Sequence, residues 1–543
     1  MKRGKISAYL TFTLILLAIL ASLGVFNVHG ITDRQPGVQP GDWFRYKRTY
    51  ANLDTNLPDA QFPPDFIKIA AANYTTIIVQ EVNGKNVTYT MTFEYPNGTI
   101  DEETRVVNVE TGEGNGSMPI IAKNLKLGDP IYIGNEWNIT GCHPQAVLKN
   151  CRETVSCYVS EDYVEHYGLT GSEETWIIWD RRKGALTSLE WTTQLGNATH
   201  HYYAELHIEI IGTNCWYLRK PGIFSGDWTK YSNFQLLTDS NFLVDWSEVI
   251  PDLLFFNETE WMLNEIENVN DTILNFTQTF HYKNGTERII NCTTDIVCGY
   301  EDGEENPLFL ARYLNVSDIA CAEILEWFIP YINYTAKMEI LGILREVCVS
   351  NSSFTYTEEG ETISGNGYFM WDRATGVFIK GNMSLRWENA THYIEFSTSM
   401  SLNDTNLWGT HTHTVEIDSQ EFQVTTCSNT TIMNVTVNKG EKALIFNVRG
   451  YGKSGFCNLT IPKSMMWGEN WEIYIDGIPL SEEYYSITED SENIYIHIEY
   501  PLSSHEIKIV SENIVPEFDI TFLSLSIMLL TSLIMAIQKR RRQ

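Results

Sequence analysis

The sequence predicts a mainly β protein. Two tandem homologous β-rich domains come first, then an immunoglobulin-like β-sandwich, with an apolar helical segment at each terminus. Three observations predict this. The chain repeats itself once, at an offset that drifts from 185 to 192 residues. Apolar residues alternate along short runs separated by turn dipeptides. Two apolar runs free of Asp, Glu, Lys and Arg occupy the ends.

Residues 1–30 read as a signal peptide or anchor. Lys2, Arg3 and Lys5 form a basic start, and the charge-free run covers residues 6–32. Basic start followed by apolar run is the order of a secretory leader. The run is also long enough to span a bilayer uncleaved.

Residues 36–217 and 218–409 are the two copies. Pro36-Gly37 and Gly41-Asp42-Trp43 return as Pro221-Gly222 and Gly226-Asp227-Trp228, and Tyr46 returns as Tyr231. Asn97-Gly98-Thr99 returns as Asn284-Gly285-Thr286. Trp179-Asp180-Arg181 and Gly184 return as Trp371-Asp372-Arg373 and Gly376. Asn197-Ala198-Thr199-His200 matches Asn389-Ala390-Thr391-His392, and Trp216 matches Trp408. Matches in one order at a slowly drifting offset indicate a duplication.

In the first copy Asn83-Gly84 and Asn97-Gly98 mark hairpin turns, and in both copies so does the Trp-Asp-Arg segment with its glycine. Long strands are expected over 201–211 and 392–402. One helix is expected in copy 2, capped by Ser317, with Ile319, Ile324, Trp327 and Phe328 on its apolar face and Pro330 at its end. Consecutive hairpins of this extent predict a large curved antiparallel sheet, in outline similar to the half-barrels of lipoprotein carriers, although no motif accompanies that likeness.

Residues 410–514 change pattern. Short strands are expected over 431–437, 443–448, 457–461, 471–475 and 493–498, punctuated by Asn438-Lys439-Gly440, Asp476-Gly477 and Pro501. About 100 residues of this kind predict the sandwich.

Residues 515–538 hold Val515-Pro516-Glu517-Phe518 and the apolar run Ile520–Ile537, read as a transmembrane helix. The basic tail 539–543 should stay on the cytoplasmic side. The order Pro516-Glu517-Phe518, apolar helix, basic tail resembles the C-terminal sorting signals of archaeal surface proteins. That resemblance implies a sortase-like cut near the tripeptide and replacement of the helix by a lipid; a retained anchor is the alternative. Taken with the duplicated Gly-Asp-Trp and Trp-Asp-Arg domains, the chain is similar to uncharacterised archaeal cell-surface proteins. The resemblance brings no activity and no catalytic residues with it.

Charge fits an exterior location. The 543 residues carry a net charge of −31, and without the seven terminal cations the body stands at −38. Phosphate backbones repel such a body, which excludes nucleic-acid partners. There are 20 Asn-x-Ser/Thr sequons: Asn73, Asn86, Asn97, Asn115, Asn138, Asn197, Asn257, Asn270, Asn275, Asn284, Asn291, Asn315, Asn333, Asn351, Asn382, Asn389, Asn403, Asn429, Asn434 and Asn458. That is roughly three times the number chance would place in this composition, which indicates a glycoprotein. The ten cysteines of an exported chain suggest disulfides. Cys427 and Cys457, alone in the last domain, are the one internal pair it can form; the other eight cannot be paired from sequence.

Chemistry is harder to find. Gly452-Lys453-Ser454 imitates the end of a phosphate loop, but Asn447 stands where its first glycine belongs, and a hairpin turn is expected. His411 and His413 share a strand face, as His201 and His207 can; with no third ligand they read as solvated or hydrogen-bonded histidines rather than a metal site. Glu301-Asp302-Gly303-Glu304-Glu305 lacks the spaced calcium-loop pattern and reads as an acidic turn. Trp43, Trp228, Trp179, Trp371, Trp216 and Trp408 recur in pairs, and core packing is expected of them before a sugar platform.

The expected function is that of a membrane-anchored, N-glycosylated cell-surface protein, structural, adhesive or ligand-capturing, without catalysis, cofactor or metal. Its partners would be membrane lipid, through the C-terminal helix, and other envelope proteins or glycans. A receptor holding an apolar or glycan ligand in the concave sheet of each repeat is the first alternative. An extracellular hydrolase is the second.

Overall fold

A computed structural model describes residues 34–515 apart from 117, 217, 298–299, 302–303, 306–307, 321–329 and 359, together with 528–532 and 534–535. The expected leader or anchor, the Pro516-Glu517-Phe518 motif, the basic tail and most of the C-terminal run lie outside the described residues. No helix among the described residues is long and apolar enough to cross a membrane. The chain divides into two compact units after Leu218.

Repeat 1 is one nine-stranded antiparallel sheet. Its strands are β1 (Trp43–Thr55), β2 (Tyr74–Asn83), β3 (Asn86–Glu94), β4 (Ile100–Asn108), β5 (Gly141–Val147), β6 (Asn150–His166), β7 (Leu169–Asp180), β8 (Leu186–Gly196) and β9 (His201–Thr213). They are ordered β4-β3-β2-β1-β9-β8-β7-β6-β5. Two hairpin meanders, β1–β4 and β5–β9, thus meet where β1 pairs with β9. The sheet keeps two edges and does not close into a barrel.

Alternation decides which face is buried. Phe44, Tyr46, Tyr89, Phe93, Ile177, Trp191 and Leu206 point to one side and form a single core. Two long connections cover it. Residues 56–73 supply Phe62, Phe66 and Ala70, and residues 109–140 supply Ile120, Leu125 and Ile131. Polar tips pin them down. Tyr89 donates to the carbonyl of Gly116 at 2.5 Å, Trp179 Nε1 to Met118 at 2.7 Å and Tyr202 to Gln61 at 2.8 Å. The apolar face of the sheet is therefore filled by the chain itself.

Repeat 2 copies this plan. Its strands are β10 (Trp228–Ser240), β11 (Thr259–Asn270), β12 (Ile273–Tyr282), β13 (Glu287–Asp295), the short β14 (Tyr300–Glu301) and β15 (Glu304–Glu305), β16 (Tyr334–Ile340), β17 (Ile343–Glu358), β18 (Glu361–Asp372), β19 (Phe378–Glu388) and β20 (Tyr393–Thr405). The order β15-β14-β13-β12-β11-β10-β20-β19-β18-β17-β16 is that of repeat 1 with one added hairpin at an edge. The helix expected near Ser317 falls mostly on residues outside the described ones. Ser317 itself has a φ of 73° and its amide donates to the Ile332 carbonyl.

The last domain is a sandwich of two five-stranded antiparallel sheets around one core, in which Val424, Leu444, Phe446, Ile461 and Ile509 are buried. Its strands are β21 (Gly409–Ile417), β22 (Gln420–Ser428), β23 (Thr431–Asn438), β24 (Ala443–Arg449), β25 (Ser454–Pro462), β26 (Met466–Ile475), β27 (Ile478–Pro479), β28 (Tyr485–Glu489), β29 (Asn493–Pro501) and β30 (Ser504–Ile514). The sheets run β21-β22-β25-β29-β28 and β23-β24-β30-β26-β27. The immunoglobulin order is ABED and CFG. The present domain shares that layered architecture but not its strand order. Gly452-Lys453-Ser454, expected in a hairpin, instead links β24 of one sheet to β25 of the other.

Candidate functional site

The Gly-Asp-Trp and Trp-Asp-Arg motifs of the two copies gather at one end of each sheet. In repeat 1 the β7–β8 turn follows Trp179-Asp180-Arg181. Asp180 accepts from Arg152 Nε at 2.5 Å and from the Lys183 amide at 2.7 Å. Arg181 pairs with Glu153 and donates Nε to the Leu125 carbonyl at 2.8 Å. Asp42 accepts from the Gln39 amide at 3.0 Å and from Lys183 Nζ at 2.9 Å. Arg152 lies over Trp216, 4.9 Å from its ring centre.

Repeat 2 builds the same network with one exchange. Asp372 takes both Nε and Nη2 of Arg345 at 2.8 Å, and Arg373 holds Glu346 at 3.0 Å. Arg345 lies 4.5 Å over Trp408. Thr375 stands where repeat 1 has Lys183, and its hydroxyl turns to Asp372 at 2.7 Å. Asp227 thereby loses its cation within the repeat. Arg449 of the sandwich supplies one, with Nη2 at 2.5 Å. Burial pushes the Asp227 carboxyl above its ordinary range, and Arg449 pulls against that shift.

This end of repeat 2 is where the sandwich docks. Phe224 stacks on Tyr451 at 5.1 Å, Arg312 lies 3.7 Å over Tyr451, and Arg345 Nη1 donates to the Asn429 carbonyl at 2.8 Å. Cys427 and Phe456 pack against the core of repeat 2. The matched positions of repeat 1 are Gln39 and Lys123 in place of Phe224 and Arg312, so that copy lacks the aromatic platform.

Sequence reading missed a second matched pair. Arg34 donates to the carbonyls of Ile131 at 2.7 Å and Pro130 at 2.5 Å, and Arg219 to those of Val297 at 2.5 Å and Ala320 at 3.3 Å. Both arginines are buried. Each fastens the long covering connection of its repeat. The signal was available, since Arg34-Gln35-Pro36-Gly37 and Arg219-Lys220-Pro221-Gly222 share Arg as well as Pro-Gly.

The other sequence candidates are scattered. Trp179, Trp371, Trp216 and Trp408 are buried, whereas Trp43 and Trp228 are half-buried. His411 Nε2 lies 3.3 Å from the Trp408 carbonyl and His413 Nε2 2.9 Å from Thr426. His201 faces Asp54 and His207 faces Glu205. Glu301 and Glu304 pair across the added hairpin, whose Asp302 and Gly303 lie outside the described residues. No group of three metal-ligating side chains occurs among the described residues.

The expected Cys427–Cys457 disulfide is not formed; both are thiols. Register explains it. Cys427 pairs with Asn458 and Ser428 with Cys457, so the two sulfurs leave opposite faces of the sheet. Burial raises the thiols of Cys157 and Cys215 to about 11 and that of Cys348 to about 12, which makes them poor nucleophiles. Among the carboxylates, Glu173 is raised by burial against a hydrogen bond from Trp191, with Glu161 and His166 nearby.

The sequon asparagines sort differently. Of the 20, 16 are exposed, Asn73, Asn275, Asn389 and Asn429 are half-buried, and none is buried. Four share one turn. Asn97, Asn197, Asn284 and Asn389 each accept, through Oδ1, the amide and the hydroxyl of the threonine two residues on, at 2.7–3.3 Å. No protein-family model matches the chain, and no curated protein is significantly similar to it.

Proposed function

We propose that this is a membrane-tethered, N-glycosylated cell-surface protein whose role is structural and adhesive rather than catalytic. The observation that carries the reading is the placement of the sequons. A glycan needs an amide nitrogen that reaches solvent, and none of the 20 acceptors is buried. In the four shared turns Oδ1 is engaged while Nδ2 is left to react. Tethering rests on the apolar run that follows the sandwich and its basic tail. A lipid installed near Pro516-Glu517-Phe518 would serve the same purpose. The curved half-barrel expected of each repeat belongs to this proposal as well.

Capture of an apolar ligand inside each sheet has less support, because the covering connections occupy that face. Hydrolysis has less again: Asp227 is committed to Arg449, and among the described residues no second carboxylate is hydrogen-bonded to Glu173. Intact-mass and glycopeptide analysis of the protein from its native membrane tests the proposal. Additional mass at most sequons is the expected result. A chain of unmodified mass would sink it.

A further inference from the structure

The outer face of repeat 1 carries a row of side chains that the fold does not need. Register sets Tyr158 on β6 opposite Trp176 on β7, Trp176 opposite Glu190 on β8, Glu190 opposite His207 on β9, and His207 opposite Tyr50 on β1. Five neighbouring strands place the ends of the row about 19 Å apart. Tyr50, Tyr158 and Trp176 remain 45%, 49% and 47% exposed. The Tyr50 and His207 rings lie 5.6 Å apart, and His207 Nε2 is 3.0 Å from Glu205. The next row along the strands is short and polar, with Glu174 opposite Thr192 and Thr192 opposite Glu205. Large aromatic side chains left in register on an exposed face, rimmed by polar groups, mark an interaction surface.

Repeat 2 shows the same row differently furnished. Asn351, Tyr368, Asn382, Ser399 and Gln235 occupy its five positions in register. Asn351 and Asn382 are exposed sequon asparagines. In repeat 1 no sequon lies on β5–β9. One copy thus offers two glycan acceptors on the row that the other copy lines with rings and keeps clear of acceptors.

We propose that the Tyr158–Trp176–Glu190–His207–Tyr50 row of repeat 1 binds an asparagine-linked glycan of a second copy of this chain. The inference rests on the reading of the chain as a glycoprotein. A pyranose ring has an apolar C–H face that stacks on an aromatic ring, while its hydroxyls hydrogen-bond at the edges. Tyr158, Trp176 and Tyr50 supply the rings. Glu190 and the Nδ1 of His207, set between them, supply acceptors for sugar hydroxyls, and Glu174 adds another alongside. These carboxylates repel anionic sugars, so the glycan held here is neutral. Single contacts of this kind are weak, and many acceptors per copy make the association multivalent.

Sedimentation velocity on the full-length protein, purified from its native membrane in detergent, tests this over a concentration series. The glycosylated wild type should self-associate, and enzymatic removal of its glycans should abolish the association. W176A and Y158A should each weaken it at least tenfold with unchanged thermal unfolding, whereas Y368A in repeat 2 should leave it as it was. Association that survives glycan removal would mean contact between protein surfaces and overturns the proposal. A monomeric glycosylated wild type, or association indifferent to W176A, overturns it too. Mass analysis of the same sample comes first: a chain without glycans sinks the glycoprotein reading, separately from any behaviour of the row.

Discussion

Arg449 of the sandwich neutralises Asp227 of repeat 2, as Lys183 neutralises Asp42 within repeat 1. The two carboxylates come from the same Gly-Asp-Trp motif, and each also caps its own turn through a backbone amide. The difference is where the cation originates. In repeat 1 it is local to the network; in repeat 2 it arrives from another domain. The same motif thus holds an internal ion pair in one copy and an attachment point for another domain in the other.

Removing Arg449 should therefore be costly. Asp227 is almost fully buried and Arg449 largely so. Deleting one partner of such a pair strands the other charge, at a cost of about 3–5 kcal/mol. Arg449→Met should lower the thermal midpoint of repeat 2 and the sandwich together. Thr375→Lys, which copies the solution of repeat 1, should recover part of that loss in the double variant. Calorimetry of both variants checks the prediction; a midpoint for Arg449→Met equal to wild type would contradict it.

The repeat was legible because its turns depend on local chemistry. The Asn97-Gly98 turn, Trp-Asp-Arg and the following glycine shape the chain within a few residues, and they recur in both copies. The exchange of Lys183 for Thr375 was equally visible as letters, but its meaning was not. Asp227 and Arg449 lie 222 residues apart, and no periodicity links them. The same limit applies to Cys427 and Cys457. They were paired by elimination, whereas the outcome depends on which face each side chain takes in the β22–β25 register. In the sandwich, strands were legible from alternation, but their order depends on contacts between distant segments.

Gly184 and Gly376 close the two Trp-Asp-Arg turns with φ values of 67° and 77°. A Cβ built on Gly184 would sit 2.1 Å from the Ile121 carbonyl oxygen, and one on Gly376 1.9 Å from that of Leu310. Both backbone strain and overlap oppose a side chain. Gly184→Ala and Gly376→Ala should each cost at least about 2 kcal/mol. Denaturant unfolding of the single variants measures this.

Repeat 2 buries a polar row where repeat 1 is apolar. Gln278 Nε2 donates to Asn264 at 2.9 Å, and Asn264 reaches Thr229 at 3.4 Å. Phe44, Ile77 and Met91 hold the matched positions in repeat 1. Asn264→Ile alone leaves the Gln278 donor without its acceptor and should cost about 1–3 kcal/mol. Adding Gln278→Met removes the stranded group, so the double variant should regain most of that loss. A double variant as unstable as the single one would contradict this account.

Sequon occupancy should follow the fate of each Nδ2. Asn97, Asn197, Asn284 and Asn389 use Oδ1 in their turns and keep Nδ2 available. Asn257 donates Nδ2 to the Leu236 carbonyl at 2.9 Å, and Asn429 donates to that of Ser454 at 3.3 Å beside the docking contact of Arg345. Glycopeptide mapping should find the first four occupied and Asn257 and Asn429 bare. Full occupancy of Asn429 would mean that modification precedes docking of the sandwich.

His413 gives the sandwich a pH response of defined sign. In an unfolded chain its imidazole takes up a proton near pH 6.5. In the folded domain burial, and secondarily His411, lower that pKa. Below pH 6.5 the folded state thus binds fewer protons than the unfolded one. Stability falls as pH drops through the unfolded value and levels off below the folded value. The carboxylates behave separately. A hydrogen bond from His505, and then one from the Glu506 amide, hold Asp476 below its ordinary range, and backbone amides do the same for Asp490 and Glu512. Their contribution is present above the ordinary carboxylate pKa of about 4 and is lost only as pH falls through the lowered values. Thermal unfolding between pH 7.5 and 5 should therefore show a decline that His413→Gln removes. A decline of equal size in that variant would assign the response to other groups.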